Sequence, residues 1–229
     1  RSTLFPYTTL FRSMTASIGA EVRILPLKAE RNFLPDLKEL ENLVDKNTKM
    51  ITINNPNNPT GSLIHKEALE KIVEIAKSAN AYILSDEVYR GISEDGSYMY
   101  SIVDVYEKGI SVGSMSKIFS LAGLRMGWIA TKDEEALHKI YERRDYDTIS
   151  CGVLDDKLAS MALANKEKIF ARNREILLKN RRILNEWIDR TKGVSYVKPE
   201  AGTTALVYYN KDISSLELCR KLIKEKGQS

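Results

Sequence analysis

Lys117 and Arg125 lie eight residues apart in the segment Ser114-Met115-Ser116-Lys117-Ile118-Phe119-Ser120-Leu121-Ala122-Gly123-Leu124-Arg125-Met126-Gly127. An apolar run at 110–112 leads into this segment, and a second at 126–130 leaves it. Two buried strands joined by such a loop would bring the lysine and the arginine to one mouth of a sheet. A lysine in that position is costly unless it is charge-paired, neutral or covalently capped. Read for chemistry, the pattern suits an amine that forms a Schiff base and a guanidinium that anchors a phosphate. Read plainly, it is a surface loop that carries two cations.

Two further loops supply partners for that chemistry. The apolar run 50–53 ends in Asn54-Asn55-Pro56-Asn57-Asn58-Pro59-Thr60-Gly61, a dense turn signal. The run 81–84 ends in Ser85-Asp86-Glu87-Val88-Tyr89-Arg90. Each residue has a plain reading. Asn58 before Pro59 is a turn residue, Asp86 caps a helix, Tyr89 packs one turn away, Ser114 caps a short turn, and Glu87 is solvated or structural. Taken together they are the set that pyridoxal phosphate chemistry requires. An amine condenses with the cofactor aldehyde. A carboxylate keeps the pyridine nitrogen protonated, so that the ring accepts the electrons of a carbanion. A phenol and an amide can hydrogen-bond the ring hydroxyl oxygen and hold the lysine aldimine at a low pKa. A guanidinium grips phosphate bidentately, which an ammonium cannot do, and a serine hydroxyl adds a donor.

The elements that must hold these loops are legible from hydrophobic periodicity. Short apolar runs at 21–27, 50–53, 81–84, 110–112 and 126–130 read as strands. Residues 34–44 read as a helix started by Pro35-Asp36, and 66–79 as an amphipathic helix with Leu69, Ile72, Val73 and Ala76 on one face. This alternation predicts an α/β fold, a mostly parallel sheet with helices on both faces. In such sheets ligands bind beyond the carboxyl ends of the strands, which is where all three loops would fall. Helices are expected at 134–144 and 155–164, with a long connector at 166–191 whose apolar stripe is Ile169, Ile176, Leu177, Leu184 and Ile188. Strand, strand and helix at 194–197, 205–209 and 216–226 then begin a smaller α+β domain. The expected organisation is a large cofactor domain at 14–150, a helical connector at 151–190 and a partial small domain at 191–229. Residues 1–13 resemble a translated adapter or cloning scar.

Composition narrows the function classes. A 229-residue chain with 43% hydrophobic and 29% charged residues fits a soluble globular protein. A net charge of +4 with no long basic block gives no reason to expect nucleic acid. The basic run at 172–182 falls on a helical pattern and reads as a solvated face. No apolar run approaches the roughly 20 residues of a membrane span. Cys151 and Cys219 match no metal spacing and fit a reducing cytoplasm better than a disulfide framework. Cys151 has no base pattern nearby and reads as a buried thiol. His65 and His138 are isolated and read as surface or capping residues.

The three motifs together resemble those of fold-type-I pyridoxal-phosphate enzymes, the class I/II aminotransferases. The matching residues are Asn55-Pro56-Asn57-Asn58-Pro59-Thr60-Gly61, Ser85-Asp86-Glu87-Val88-Tyr89, and Ser114-Met115-Ser116-Lys117 with Gly123-Leu124-Arg125-Met126-Gly127. The resemblance implies that Lys117 holds the cofactor and carries the substrate proton. It implies that Asp86 faces the pyridine nitrogen, that Tyr89 and Asn58 bind the ring oxygen, and that Ser114 and Arg125 bind the phosphate, with Ser116 ranked below Ser114. It also implies an often-cis Asn58-Pro59 bond, amino-acid and 2-oxo-acid substrates, a homodimer in the full-length protein, and Tyr141, Arg144 and Tyr146 as less favoured pocket residues. The family's upstream glycine-rich turn, its ring-stacking aromatic and its substrate-carboxylate arginine have no match here. The resemblance therefore implies an internal piece of a longer protein, inactive alone. Two other readings accompany amino transfer: a carbon–sulfur lyase or synthase of the same fold, and an aminotransferase-like sensor module of a transcription regulator.

Overall fold

The computed structural model describes residues 6–227. In chain order the elements are α1 (Pro6–Ser17), a 3-10 turn (Ala29–Arg31), α2 (Leu37–Leu43), β1 (Met50–Asn54), α3 (Lys66–Ser78), β2 (Tyr82–Asp86), α4 (Ile102–Val105) and β3 (Gly109–Ser114). A second 3-10 turn (Ala122–Leu124), β4 (Gly127–Thr131), α5 (Glu134–Asp147), α6 (Val153–Ala164), α7 (Lys166–Arg190), β5 (Val194–Tyr196), β6 (Val207–Tyr209) and α8 (Ser215–Lys226) follow.

The four strands of the main sheet lie in the order β1-β2-β3-β4. β1, β2 and β3 are parallel, and β4 runs antiparallel to β3. The parallel register pairs Asn54 with Asp86 and Asp86 with Val112, so the three strands release their chains at one edge. β4 begins at that same edge, where Gly127 pairs with Ser114. The sheet is thus mixed and mostly parallel, and its carboxyl rim carries all three loops.

Two apolar clusters fix the rim. In the first, Ile51 and Ile83 meet Leu69, Ile72, Val73 and Ala76 of α3, Leu40 of α2 and Ile102 of α4. Four buried α3 residues at helical spacing explain why this segment is a helix and which face it turns inward. Asp36 starts α2 by accepting from the Lys38 and Glu39 amides at 3.0 and 3.2 Å. Full burial of one such apolar side chain contributes about 1.5–3 kcal/mol. Tyr82, on the alternate side of β2 from Ile83, donates to Asp133 at the start of α5 at 2.8 Å. The second cluster holds Met115, Ile118 and Phe119 against Ile92, Ala159, Ala162 and Phe170. It grips the chain on both sides of Lys117, with the Phe119 and Phe170 rings 5.0 Å apart.

Several expectations are corrected. Residues 21–27 form no strand; among the described residues no strand pairs with them, Ile24 and Leu27 are exposed, and Arg23 instead pairs with Glu21 and Asp45. β4 is not a buried strand, since Trp128 and Ile129 are both exposed. Cys151 is exposed rather than buried. The basic run of α7 is not wholly a solvated face, because Arg181 is only 6% exposed, while Ile176 of the expected apolar stripe is exposed. Helix α4 went unread because it has only four residues. Its signal is Ser101-x-x-Asp104, in which the Asp104 carboxylate accepts the Ser101 amide at 3.0 Å. The smaller sheet pairs β5 with β6 antiparallel and α8 follows, as the sequence indicated. Residues 1–5 of the expected scar lie outside the described residues. Among the described residues no helix is long and apolar enough to cross a membrane.

Candidate functional site

Asn58 leaves β1 through a loop that two cis peptide bonds, Asn55-Pro56 and Asn58-Pro59, fold tightly. Asn54 ties this loop to its neighbour. Its side-chain Nδ2 donates to the Asp86 carbonyl at 3.0 Å, and its Oδ1 accepts the Asn58 backbone amide at 2.7 Å. The Asn58 side-chain amide then donates to the Tyr89 hydroxyl at 3.1 Å. Tyr89 is buried at 3% exposure, so its ring is fixed and only its polar end reaches the rim. The Lys117 amine, half-buried, stands 5.8 Å from the centre of that ring.

Asp86, the last residue of β2, is 8% exposed. Burial pushes its carboxyl above the ordinary range; the Val88 amide and the charge of Lys117 partly oppose this, and Glu87 adds to it. The Val88 contact is 3.2 Å long. Desolvation leading over hydrogen bonding describes a carboxylate poor in donors that a further cation would stabilise. Asp86, Tyr89, Asn58 and Lys117 therefore share one corner of the rim.

Ser114 and Arg125 flank the same turn without meeting. The Ser114 hydroxyl accepts the Ser116 amide at 3.0 Å and lies 3.4 Å from the Met126 carbonyl. Arg125 has left-handed backbone (φ 52°), is exposed, and donates to the Ala122 carbonyl at 3.0 Å. Of the less favoured pocket residues, Arg144 lies over the Tyr141 ring and donates to the Ile149 carbonyl, and Tyr146 is 87% exposed. His65 precedes α3 without capping it and meets Glu200 at 2.8 Å, while His138 is exposed beside Glu142.

One residue escaped the sequence reading, and two other features gain a definite place only in the structure. Asn54 is the clip between the first two loops, and its signal is its place at the head of the asparagine-proline run. Glu87 is a buried structural carboxylate, accepting the Ile102 amide and the Ser111 hydroxyl, each at 2.8 Å. The segment 199–202 packs against the two loops that carry Asn58 and Tyr89. Gly202 lies against Tyr89 and Pro56, so that an added Cβ would sit 3.8–3.9 Å from them.

The profile of the aminotransferase class I and II family matches residues 6–228. The chain belongs to that family. Over 97% of its length it is similar to a PLP-dependent aminotransferase from Streptococcus suis, with 43% identity and a TM-score of 0.92, covering 59% of that structure. It is 29% identical over 213 residues to an aspartate aminotransferase from Thermotoga maritima, covering 91% of this chain and 54% of that one. A capreomycidine synthase from Streptomyces vinaceus is 25% identical over 215 residues, 93% of this chain and 55% of that one. The chain spans about half the length of the curated relatives it matches. The class I and II aminotransferases and their fold depend on pyridoxal phosphate. The side chains present fit that group. A buried carboxylate short of donors suits a ring nitrogen, a phenol paired with an amide suits a ring oxygen, and the amine lies beside both.

Proposed function

We propose that the complete protein transfers an amino group between an amino acid and a 2-oxo acid. The observation that carries this reading is the approach of the Lys117 amine to the Tyr89–Asn58 pair at the rim corner that also holds buried Asp86. Bound pyridoxal phosphate supplies an electron sink conjugated to the reacting carbon. In this reading Lys117 Nζ would be the covalent anchor for the cofactor and the group that moves the proton at the substrate Cα. The Asp86 carboxylate would hold a proton on the ring nitrogen. Tyr89 and Asn58 would bind and orient the ring oxygen, and Ser114 and Arg125 would bind the phosphate. Arg125 must turn from the Ala122 carbonyl to do so. We place the protein in the cytoplasm as a homodimer, with no nucleic acid and no membrane as partners.

The test is pyridoxal phosphate binding followed by an amino-acid/oxo-acid transfer assay on the complete protein. Borohydride reduction should fix the cofactor mass on the Lys117 peptide, and Lys117→Ala should abolish that mass and lower the transfer rate by about 10²–10⁴-fold. A complete protein that binds no pyridoxal phosphate refutes the proposal. A second reading, a lyase or synthase on the same site, is favoured by the similarity to a capreomycidine synthase. Release of ammonia and pyruvate in place of amino transfer would select it.

A further inference from the structure

The loops that carry Asn58 and Tyr89 are closed by a third segment, distant in sequence. The Gly61 carbonyl accepts the Glu200 and Ala201 amides at 2.9 and 3.0 Å. On the other side, Ser93 and Ala201 form an antiparallel bridge, the Glu94 amide donates to the Glu200 carbonyl at 3.0 Å, and the Gly202 amide donates to the Ile92 carbonyl at 3.1 Å. Residues 199–202 thus form a strap hydrogen-bonded to both loops, and the Asn58–Tyr89 contact closes the ring across from it.

One residue gathers charge from everything around this ring. Glu94 Oε2 lies 3.4 Å from Arg181 Nη1 of α7, and Glu94 Oε1 lies 3.0 Å from Lys198 Nζ at the foot of the strap. Arg174, one helical stretch earlier on α7, donates to the Glu94 carbonyl at 2.5 Å and to the Ser93 carbonyl at 3.3 Å. Arg181 is buried, its Nη1 has no hydrogen-bond partner, and among the described residues Glu94 is its one carboxylate at ion-pair distance. Tyr196 of β5, bonded to Asn185, completes the surroundings within the fields of Arg181, Lys198 and Asp189. A buried guanidinium that loses its carboxylate is left uncompensated, so α7 holds Glu94, and with it the loop, in one place.

We propose that Glu94 is a positioning residue: its carboxylate, shared between Arg181 and Lys198, clamps the strap and α7 to the loop after Asp86 and so keeps Tyr89 against Asn58 and beside Lys117. The inference rests on the reading of Tyr89, Asn58 and Lys117 as cofactor residues. Without the charge, Lys198 is released and Arg181 is left facing a neutral group. The strap then loosens and the Tyr89–Asn58 pair no longer holds the ring oxygen. With the cofactor bound, donors to its ring oxygen would lower the proton affinity beside that oxygen, so loss of the pair would move the protonation midpoint of the bound cofactor upward.

The experiment uses the complete protein loaded with pyridoxal phosphate, and compares the parent with Glu94→Gln and Glu94→Asp. Cofactor affinity is read by absorbance titration and the midpoint by the pH dependence of the bound-cofactor band. E94Q is expected to weaken affinity about tenfold and to raise the midpoint, with E94D restoring both toward the parent. An E94Q protein that melts earlier but keeps the parent affinity and midpoint overturns the anchor and leaves a purely structural contact. Should E94Q not fold, Lys198→Met, which keeps the Arg181 pair, must shift both readouts in the same direction by less; no shift overturns the proposal. A parent that binds no cofactor overturns the aminotransferase reading and this inference together, whereas a binding parent with an indistinguishable variant overturns this inference alone.

Discussion

Gly61→Ala tests the close fit between the first cofactor loop and the strap. Gly61 has φ +68°, and a Cβ built there would lie 2.4 Å from Pro199 Cβ, 3.0 Å from the Ala201 carbonyl and 3.1 Å from the Thr204 carbonyl. Two of those neighbours are backbone and the third is a ring atom, so none can swing aside. The left-handed backbone costs an alanine about 1–2 kcal/mol, and overpacking adds about 1–3 kcal/mol. Gly193 supplies the control. Its φ is +77°, but the nearest atom to an added Cβ is Asn210 Cβ at 3.8 Å, ordinary contact. Gly193→Ala should therefore lose about 1–2 kcal/mol from the backbone alone. Urea unfolding at constant m reads both variants. G61A is expected to fall below G193A by about 1–3 kcal/mol. Because the Gly61 carbonyl also carries two strap amides, G61A should weaken cofactor binding while G193A does not. Equal stability of the two variants, within ~0.5 kcal/mol, would refute the argument that the strap is packed rigidly on this loop.

Two further outcomes follow from the carboxylates at the rim. The Asp86 carboxyl titrates above its ordinary value of 3.8 because it is buried, so the folded chain binds that proton more tightly than the unfolded chain. This contribution is fully present below pH 3.8 and is lost as pH rises through the folded value. Asp86→Asn in cofactor-free protein should consequently gain stability relative to the parent as pH rises through that window, measured as urea midpoints across it, and should lose cofactor affinity. A pH-independent difference would contradict the burial argument. Glu87→Ala leaves the Ile102 amide and the Ser111 hydroxyl without their acceptor in a buried place. At about 1–3 kcal/mol for each orphaned group, a loss of about 2–6 kcal/mol is expected in thermal or urea unfolding. The spectrum of bound cofactor should stay that of the parent, and a changed spectrum would assign Glu87 to the site itself.

Much of this protein is local and was readable as a string. Four apolar residues of α3 at helical spacing, the Asp36 cap and the three loop motifs depend on neighbours within a turn or two, so periodicity and turn chemistry suffice to place them. The motifs also carried the family resemblance, since order and residue type survive without coordinates. The short run at 21–27 misled for the converse reason: an apolar stretch becomes a strand only where another strand pairs with it, and among the described residues none does. Tertiary structure alone decided which polar groups face each other. Glu87 and Asp86 are adjacent in the chain, yet one is consumed by Ile102 and Ser111 while the other faces Lys117. Arg181 belongs to a basic helical run that spacing assigns to solvent, and it is buried because Glu94 meets it from another element. The partners in the clamp of Glu94 and Lys198 are 104 residues apart. Hydrogen bonds and ion pairs of that reach are set by how sheet, strap and long helix pack together, and no local pattern of residues encodes them.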